Sequence, residues 1–493
     1  MPHTEPAFVK HYDAIDYGAG GDGVTNDTAS IVAAADAAHA AGGGVVFFPA
    51  GTYIAEGLPL YENVFYLGSN SGASIVKSPN PPTTSMFDAA AAVDFAGGGI
   101  AYLDLDGRVA TSGVHGIDFS DVSNELNDFA IDHCHVHHFD HGYHGATRDR
   151  FIPITNNRFW YCTVGLYVRA EHPNFGINDI RNNTTGVGGT LIHAQFLGTK
   201  FNYNSYGVRA LDGGSVSESQ FVGCHFGYNS TAGASVSDYC VFDGCLFLAN
   251  AIGAYTPNSG TISACHFENH TGVVISIGAG NGIVITGNTF NELSGTGSLI
   301  YVSATAQLNR MMNVSNNSFY VDDRSVIDSA NGFVHSNISG NVVYSNGRTN
   351  GTAAYFIIPG VSGGYTFIGN TIWDEAATTS IALNSASSIR ATIVGNRFRS
   401  VGAPSFGTTD ADTRIAHNFG YKTENGGTAS VADTGTITHG IAATPTQYLV
   451  TPTKADRIAA VTAASSTTIT VSLTDAAGTA VEVAENVIWR AWV

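Results

Sequence analysis

The 493-residue sequence predicts an all-β fold, a right-handed parallel β-helix in which each strand-rich coil stacks on the one before it. Two observations support this prediction: a short phrase recurs at the length of one coil, and the residues around it alternate apolar and polar as a strand does. The composition agrees. Hydrophobic residues make up 44% of the chain and charged residues only 12%, against roughly 25% in ordinary soluble domains, so uncharged polar residues must cover the surface.

The recurring phrase is a small polar residue or Cys, one variable residue, and an apolar residue that is usually Phe. Its spacing of 16 to 29 residues fits one coil of a solenoid. The copies begin at Cys134, Asn157, Asn183, Thr199, Cys224, Cys245, Cys265, Asn288, Asn317, Asn341, Asn370 and Asn396.

Coils in register place equivalent residues above one another. We therefore expect an internal aromatic stack of Phe226, Phe247, Phe267, Phe290 and Phe319. We also expect a ladder of hydrogen-bonded turn side chains made of Asn288, Asn317, Asn341, Asn370 and Asn396. Four of the six Cys begin copies of the phrase, which predicts buried, reduced thiols rather than disulfides.

The two ends differ from the repeat. Asn26-Asp27-Thr28 is a helix N-cap signal before an Ala-rich run that stops at Gly42, so residues 1–60 are predicted to be a helical cap on the solenoid, 61–421. Residues 422–493 lose the phrase and are predicted to form a small antiparallel, sandwich-like β-module. This module is similar to the terminal modules of phage tail fibres and spikes, a resemblance that implies trimerisation or ligand binding. We expect core or interface packing for its Trp489 and Trp492, with sugar stacking as the alternative.

The charge and the termini exclude several function classes. A net charge of −19 disfavours nucleic acid and anionic membrane surfaces as partners. No apolar stretch reaches the ~18–20 residues of a transmembrane helix, so no membrane insertion is expected. No signal peptide is visible after Met1. The cysteines include no Cys-x-x-Cys pair, and we expect neither a metal nor a cofactor.

The densest polar segment, residues 128–150, contains the first candidate site residues. With Cys134 and Val136 pointing inward, three imidazoles line the outer face of the strand: His133, His135 and His137. Imidazoles act as general acids or bases near neutral pH. Asp104 and Asp118 precede them on earlier strands, and outward carboxylates of adjacent coils lie about 4.8 Å apart.

These positions predict a functional site but do not indicate its function. The predicted catalytic residues are Asp104, Asp118, His135 and His137. The predicted substrate-binding residues are His133, Asp140, Tyr143, His144, Arg148, Arg150, Glu171 and His172. Three interpretations stay open: a solvated or intersubunit face, a sugar-binding groove without chemistry, and a catalytic site for a polysaccharide lyase or glycoside hydrolase.

The N-terminal motifs resemble a known family. Asp16-Tyr-Gly-Ala, the segment 21–28 and Gly42-Gly-Gly-Val-Val-Phe-Phe-Pro-Ala-Gly-Thr-Tyr53 are similar to the start of the pectate-lyase-like β-helix superfamily. That superfamily includes phage tailspikes, mannuronan epimerases and polygalacturonases. The epimerase signature Tyr-Gly-Phe-Asp-Pro-His-Glu is absent, as are the polygalacturonase signatures in register, so the resemblance implies the fold more than a reaction.

Two functions follow from this reasoning. The first is a virion tailspike or fibre, a homotrimer that binds a host cell-surface polysaccharide or glycoprotein and other virion proteins, with or without degrading the glycan. The second is a stand-alone carbohydrate-active enzyme, either a lyase, a hydrolase or an epimerase. Both place the protein in a virion or outside the cell.

Overall fold

The computed structural model describes residues 10–256, 258–278, 281–303, 309–322, 324–330, 333–345, 355–358, 362–375, 383–385, 389–399, 405–406, 413–420, 423–441 and 444–492. They belong to two compact units, unit 1 (Met1–Gly278 with Ser294–Gly297) and unit 2 (Ala279–Leu293 with Ser298–Val493). Within the described ranges no helix is both long and apolar enough to span a membrane.

Unit 1 is a parallel β-helix whose coils each contribute to three sheets. Sheet 1 contains His11–Asp13, Gly44–Phe48, Val64–Gly68, Gly99–Ala101, Ala130–Asp132, Pro153–Thr155, Asn174–Phe175, Gln195–Leu197, Gln220–Val222, Cys240–Asp243 and Gly260–Ser263. Sheet 2 contains Asp22–Asn26, Gly51–Ile54, Ser74–Lys77, Asp104–Asp106, His135–His137, Arg158–Trp160, Asp179–Arg181, Lys200–Asn202, His225–Gly227, Leu246–Leu248 and His266–Glu268. Sheet 3 contains Leu58–Leu60, Phe87–Ala89, Ala92–Ala96, Ile117–Asp118, Val122–Asn127, His141–His144, Arg148–Arg150, Val164–Glu171, Thr185–Ile192, Tyr206–Ala210, Val216–Ser217, Ala232–Ser235, Ile252–Thr256 and Ile275–Ile277.

A helix over Thr28–Ala40 covers the start of unit 1, as the N-terminal pattern predicts. It buries one stripe, Ile31, Ala34, Ala35 and Ala38, at the spacing of a helix face that packs on a core. Asp27 occupies the N-cap position but makes no cap hydrogen bond. Its carboxylate instead accepts a hydrogen bond from the Gly20 amide at 2.6 Å, which ties the preceding loop to the helix start.

The aromatic stack is confirmed within each unit. In unit 1 the rings of Phe226 and Phe247 lie 4.7 Å apart and those of Phe247 and Phe267 4.8 Å apart, all nearly parallel. In unit 2, Phe290 and Phe319 stack at 4.6 Å. These separations equal the spacing of neighbouring parallel strands, because the rings point inward from equivalent positions of successive coils.

The asparagine ladder is also confirmed. In unit 2 each ladder residue donates its backbone N–H to the side-chain oxygen of the next, at 2.9–3.0 Å, through Asn288, Asn317, Asn341, Asn370, Asn396 and Asn418. Unit 1 has a second ladder at the corner between sheets 2 and 3: Asn183, Asn204, Asn229 and Asn250. The prediction that Asn183 begins a copy of the recurring phrase was therefore wrong, because it belongs to this second ladder. Asn178 occupies that position, and it pairs with Asn157. All six cysteines are free and buried, as predicted.

Unit 2 has its own parallel strands: Ile283–Thr286, Thr289–Glu292, Ile300–Val302, Asn309–Arg310, Asn313–Ser315, Ser318–Val321, Ile327–Ser329, Phe333–Val334, Ser336–Ser339, Val342–Ser345, Phe356–Ile357, Ser362–Ile368, Thr371–Asp374, Leu383–Ser385, Ile389–Val394, Arg397–Arg399, Ser405–Phe406 and Arg414–Ala416. Its core contains a buried ion pair: Arg324 Nη1 lies 3.0 Å from Glu292 Oε2, and both side chains are almost fully excluded from solvent.

Unit 2 ends in two three-stranded antiparallel sheets. One contains Glu424–Val431, Gln447–Pro452 and Glu485–Trp492, and the other Gly435–Thr438, Arg457–Ala464 and Thr468–Asp475. Trp489 is buried in their shared core, as expected for packing. Trp492 lies on the other side of its strand, partly exposed, with Nε1 donating to Gln447 Oε1 at 2.5 Å. The division of the chain at residues 60 and 421 stays a prediction.

Candidate functional site

One outward column on sheet 3 brings several acid–base groups of unit 1 together. Alternation along His141–His144 points Tyr143 inward and His144 outward. Parallel register then places Asp88, Asp118, His144 and Tyr167 at the same position of four successive coils, about 4.8 Å apart per coil. Together with His115 and His141, which lie beside the column, these residues are called the sheet-3 site.

The imidazoles of the sheet-3 site pack against one another. His115 stacks on His141 with ring centroids 4.7 Å apart, and His144 meets both rings at steep angles. The ring of His141 also stacks on Tyr167 at 5.0 Å. The next position along the strand is Gly142, where a Cβ would lie 2.6 Å from the Gly165 carbonyl oxygen. Only glycine permits this close approach of coils beside the rings.

The two carboxyl groups of the column have opposite pKa shifts. Burial raises the pKa of Asp88 to about 6, with the charges of Asp118 and Asp121 adding to the effect. Burial acts in the same direction on Asp118, but hydrogen bonds from His144 and Ser120 outweigh it and hold the pKa of Asp118 well below its usual range. Neighbouring carboxyl groups thus differ in protonation near pH 5, which is how enzymes separate an acid from a base.

Asp118 also orients His144. Its Oδ1 lies 3.3 Å from His144 Nδ1, and its carboxylate accepts hydrogen bonds from Ser85 Oγ at 2.9 Å and from the Ser120 amide at 3.0 Å. A carboxylate against Nδ1 favours the tautomer with the proton on that nitrogen, so Nε2 of His144 is left as the basic atom.

His141 is suited to hydrogen bonding as a neutral ring. Burial lowers the pKa of His141 to about 4, and the neighbouring imidazoles of His144 and His115 lower it further. Its Nδ1 is buried and has no hydrogen-bond partner among the residues that the structure describes. Such an unpaired polar atom inside a site favours a role towards a ligand or a bound water.

Charged residues flank the site on the same sheet. The guanidinium groups of Arg148 and Arg150 each lie 3.3 Å from Glu125 Oε1, and Arg150 also lies 3.3 Å from Glu171. Arg169 instead donates to the Tyr167 hydroxyl at 3.1 Å. A groove of about 220 Å³ runs between Arg148, Arg169 and Glu171. Three cations face two carboxylates here, which favours an anionic or polyhydroxylated ligand in an otherwise acidic chain.

Beneath this network lies a buried acid, Asp149. It points inward from the strand that carries Arg148 and Arg150, and its carboxylate accepts hydrogen bonds from the amides of Ala146 at 2.9 Å and Arg169 at 3.4 Å. Burial raises the pKa of Asp149 to about 7, although both hydrogen bonds act to lower it. The side chain is therefore protonated in weak acid and ionised above neutrality.

We expect Asp149→Asn to flatten the pH dependence of stability. The unfolded carboxyl loses its proton near its ordinary pKa of 3.8, whereas the folded one keeps it to about pH 7. Between these values the native state binds more protons, so the free energy of unfolding falls as pH rises, by roughly 4 kcal/mol in total at ~1.36 kcal/mol per pH unit. Urea midpoints of wild type and variant, compared from pH 4 to pH 8, should diverge over this window. Parallel curves would contradict the assignment.

The predicted catalytic residues separate into two groups. Asp104, His135 and His137 meet on the outer face of sheet 2, where Asp104 Oδ1 lies 2.9 Å from His137 Nε2 and Oδ2 lies 3.6 Å from His135 Nδ1. With Asp106 and His138 they are called the sheet-2 cluster. Asp118 does not join them, because a corner of the coil intervenes and places it on sheet 3.

Several predicted binding residues lie elsewhere. His133, expected beside His135, has a φ of 52° at the corner before that strand and pairs with Asp132 at 2.7 Å. Tyr143 is fully buried on the inward side of its strand. Asp140 lies at the corner before sheet 3, where it accepts from the Gly113 amide. His172 lies at the corner after sheet 3 and stacks on the ring of His193.

Sequence reasoning missed Asp88, His115, His141 and Tyr167. His141 stood within the polar segment and could have been found from its spacing to His144. Asp88 and His115 carried no local signal, since only the register of successive coils brings them to the site.

A groove lined by tyrosines runs beside sheet 3. Tyr161, Tyr203 and Tyr228 occupy one corner of three coils and are about half exposed. The groove measures about 580 Å³ and its remaining wall is mostly hydroxyl and amide side chains, including Thr163, Asn182, Thr184, Ser205 and Ser230. Aromatic rims with hydroxyl and amide walls suit a sugar chain.

Comparison with known proteins agrees with this architecture. Residues 12–105 match a family model described as rhamnogalacturonase A/epimerase, pectate lyase-like. Mannuronan C5-epimerase AlgE1 of Azotobacter vinelandii is 41% identical over 108 residues, which are 20% of this chain and 8% of that protein. The chain thus spans only a small part of the curated relatives that it matches.

Two solved phage structures share the fold over almost the whole chain. The tailspike gp49 of Pseudomonas phage LKA1 has a TM-score of 0.54 and 12% identity, covering 97% of this chain and 99% of its own. The tailspike of E. coli bacteriophage HK620, solved with a pentasaccharide, has a TM-score of 0.53 and 11% identity, covering 98% and 93%. Residues 12–105 are therefore similar to the pectate-lyase-like family, and the chain has a parallel β-helix fold that these two structures share.

Proposed function

We propose that this chain is a tailspike-like protein that binds a host cell-surface polysaccharide on the outer face of sheet 3 and cleaves it there by acid–base catalysis. The observation that carries the proposal is the column of Asp88 and Asp118, whose pKa values are shifted in opposite directions. Cleavage of a glycosidic bond requires a protonated and an ionised group placed on either side of the bond.

The roles follow from the surroundings of each group. Asp88 gives its proton to the leaving glycosidic oxygen. The Asp118 carboxylate lies 3.3 Å from Nδ1 of His144 and favours a proton on that nitrogen, and Nε2 of His144 takes a proton from an attacking water in hydrolysis or from a sugar carbon in elimination. Two strand spacings, about 10 Å, separate Asp88 from His144, near the roughly 6.5–9.5 Å by which inverting glycosidases separate their acid and base.

Binding would extend along successive coils beyond the reacting bond. Arg169 and the arginine–glutamate network lie on one side of the sheet-3 site. The tyrosine-lined groove begins at the corner on the other side. A polysaccharide across several coils would gain contacts from both, which suits a long, repetitive ligand better than a small one.

The fold of the two phage tailspikes supports a place in a virion, as a homotrimer in contact with other virion proteins. The C-terminal sheets also present exposed apolar side chains, Leu449 and Ile488 among them. An apolar outer face on an antiparallel module favours assembly through that module.

The test combines size and activity. The purified chain is sized by size-exclusion chromatography with light scattering and then incubated with capsular, S-layer-type and uronate polysaccharides. We expect a trimer that releases reducing ends, with unsaturated ultraviolet-absorbing ends if the reaction is an elimination. A chain that neither binds nor shortens any of these glycans would contradict the proposal.

A stand-alone carbohydrate-active enzyme is the second candidate, and the 41% identity to a mannuronan C5-epimerase segment favours it. That function predicts a monomer. With an epimerase, proton NMR of a uronate polymer would show a change in sugar configuration without chain shortening. A trimer that shortens the polysaccharide would exclude the stand-alone epimerase.

A further inference from the structure

We propose that the sheet-2 cluster binds a divalent transition-metal ion through His137, His138 and Asp106. Three atoms converge there. His137 Nδ1 lies 2.7 Å from His138 Nδ1, and Asp106 Oδ1 lies 3.6 Å from the first and 3.8 Å from the second. This site lies on a different sheet from the residues of the proposed cleavage and replaces the sequence-based expectation of no metal.

The separations fit a metal polyhedron. Zinc–nitrogen and zinc–oxygen bonds of about 2.0–2.1 Å in a tetrahedron place the ligand atoms about 3.3 Å from one another. The separations of 3.6 and 3.8 Å between Asp106 and the imidazoles are slightly longer than this value. The 2.7 Å contact between the imidazoles is a hydrogen bond, whose proton must leave and whose nitrogens must move apart when a metal binds. Two imidazoles and one carboxylate are also the donor set of zinc sites and of the non-haem iron facial triad, whereas calcium prefers more oxygen ligands.

The fold holds both imidazoles in place. His138 has a φ of 62° at the corner after its strand, so consecutive side chains turn towards the same point. Corners of neighbouring coils share this conformation at Arg108 and Tyr161. The ring of His137 stacks on Trp160 at 4.7 Å and that of His138 on Tyr161 at 5.2 Å. Rings fixed by packing are already positioned for a ligand.

A second carboxylate sets the tautomer of His137. Its Nε2 lies 2.9 Å from Asp104 Oδ1, so Nε2–H donates to the carboxylate and Nδ1 keeps a lone pair for a cation. Metal-bound histidines are supported in this way.

Lys77 places a positive charge beside the proposed metal site and so weakens the attraction of a metal ion. Lys77 Nζ lies 2.9 Å from Asp106 Oδ2 and partly neutralises the carboxylate. It leaves Oδ1 turned to the imidazoles. With two carboxylates and one ammonium around it, a divalent ion has a net charge of +1 in the cluster, and the partly exposed His138 leaves coordination positions open to water or to a substrate group.

Metal binding is measured on the full chain after chelator treatment. Calorimetric titration with Zn²⁺ and the visible spectrum of added Co²⁺ report affinity and geometry. We expect His138→Asn to abolish binding at this site. Asn is chosen because Asn182 adopts the same left-handed backbone conformation at the equivalent corner of a later coil. Asp104→Asn should weaken binding about 10–100-fold, and Lys77→Met should tighten it.

Two controls separate this site from other histidines. His133→Ala removes an imidazole at a different corner, and His144→Ala disrupts the trio of His115, His141 and His144, which also brings three ligand atoms close together. Both variants should keep the metal of the sheet-2 cluster. Absence of binding in wild type, unchanged binding in His138→Asn, or its loss in His144→Ala would each overturn the proposal. Apo-state urea midpoints verify that each variant is folded.

Discussion

Replacement of Asp88 by Asn is expected to lower the rate of polysaccharide cleavage by about 10²–10⁴-fold while the polysaccharide still binds. The amide has nearly the same shape as the carboxyl group but no proton to give to the leaving oxygen. Initial rates of reducing-end release, together with affinity for an uncleaved oligosaccharide, separate the two effects. An equal loss of affinity and rate would make Asp88 a binding residue instead.

The pH profile provides an independent check of the same role. Because the pKa of Asp88 is raised to about 6 and that of Asp118 is lowered, Asp88 is protonated beside an ionised Asp118 below pH 6, and the general acid is lost as Asp88 ionises above it. The wild-type rate should therefore fall as pH rises through about 6. Asp243→Asn is the matched control, since this exposed side chain on sheet 1 bonds only to Ser263 in the described structure. A wild-type rate in Asp88→Asn would remove Asp88 from the mechanism.

Replacement of Arg324 by Met is expected to destabilise unit 2 by about 3–5 kcal/mol, the usual cost of breaking a buried ion pair. Arg324 is 3% exposed and lies 3.0 Å from Glu292, which is fully buried. Without the guanidinium, Glu292 must either keep a buried charge or take up a proton. Both cost free energy, so the urea midpoint of the transition should fall sharply.

The double variant Glu292→Met/Arg324→Met shows whether the stability is lost through an uncompensated charge or through changed packing. Removal of both charges leaves no isolated ion, so most of the stability lost in the single variant should return. Arg397→Met, at an exposed position of another strand of unit 2, should change stability by less than about 0.5 kcal/mol. If the double variant were as unstable as the sum of two independent losses, the pair would not be coupled.

The fold was largely predictable because its signals are local. Alternation within a strand sets which side chains point inward, and a repeated phrase marks equal positions of coils, so the stack around Phe247 and the ladder around Asn341 followed directly. Asn183 was misplaced because each coil has several corners and two of them carry Asn ladders. The sequence of the phrase does not indicate which corner of the coil it occupies.

The site was only partly predictable, because it depends on register between coils. His135 and His137 are neighbours on one strand, so their shared face could be inferred. Asp88 meets Asp118 only through the pairing of strands in adjacent coils, and the length of a coil varies. The sheet that carries Asp118 likewise depends on where the chain turns, and left-handed corners such as His133 shift the alternation by one residue.

The asparagine ladder has a consequence for the order of assembly. Asn204 donates its amide to Asn229, while its side chain donates to the Ile180 carbonyl of the coil before. The ladder hydrogen bonds of a coil are therefore complete only after the next coil has docked. Because the chain leaves the ribosome N-terminus first, its last folded coil always has ladder groups without partners. Each newly made coil is the template for the next. The solenoid can therefore grow in one direction during synthesis, and only its growing end has unpaired hydrogen-bonding groups at any moment.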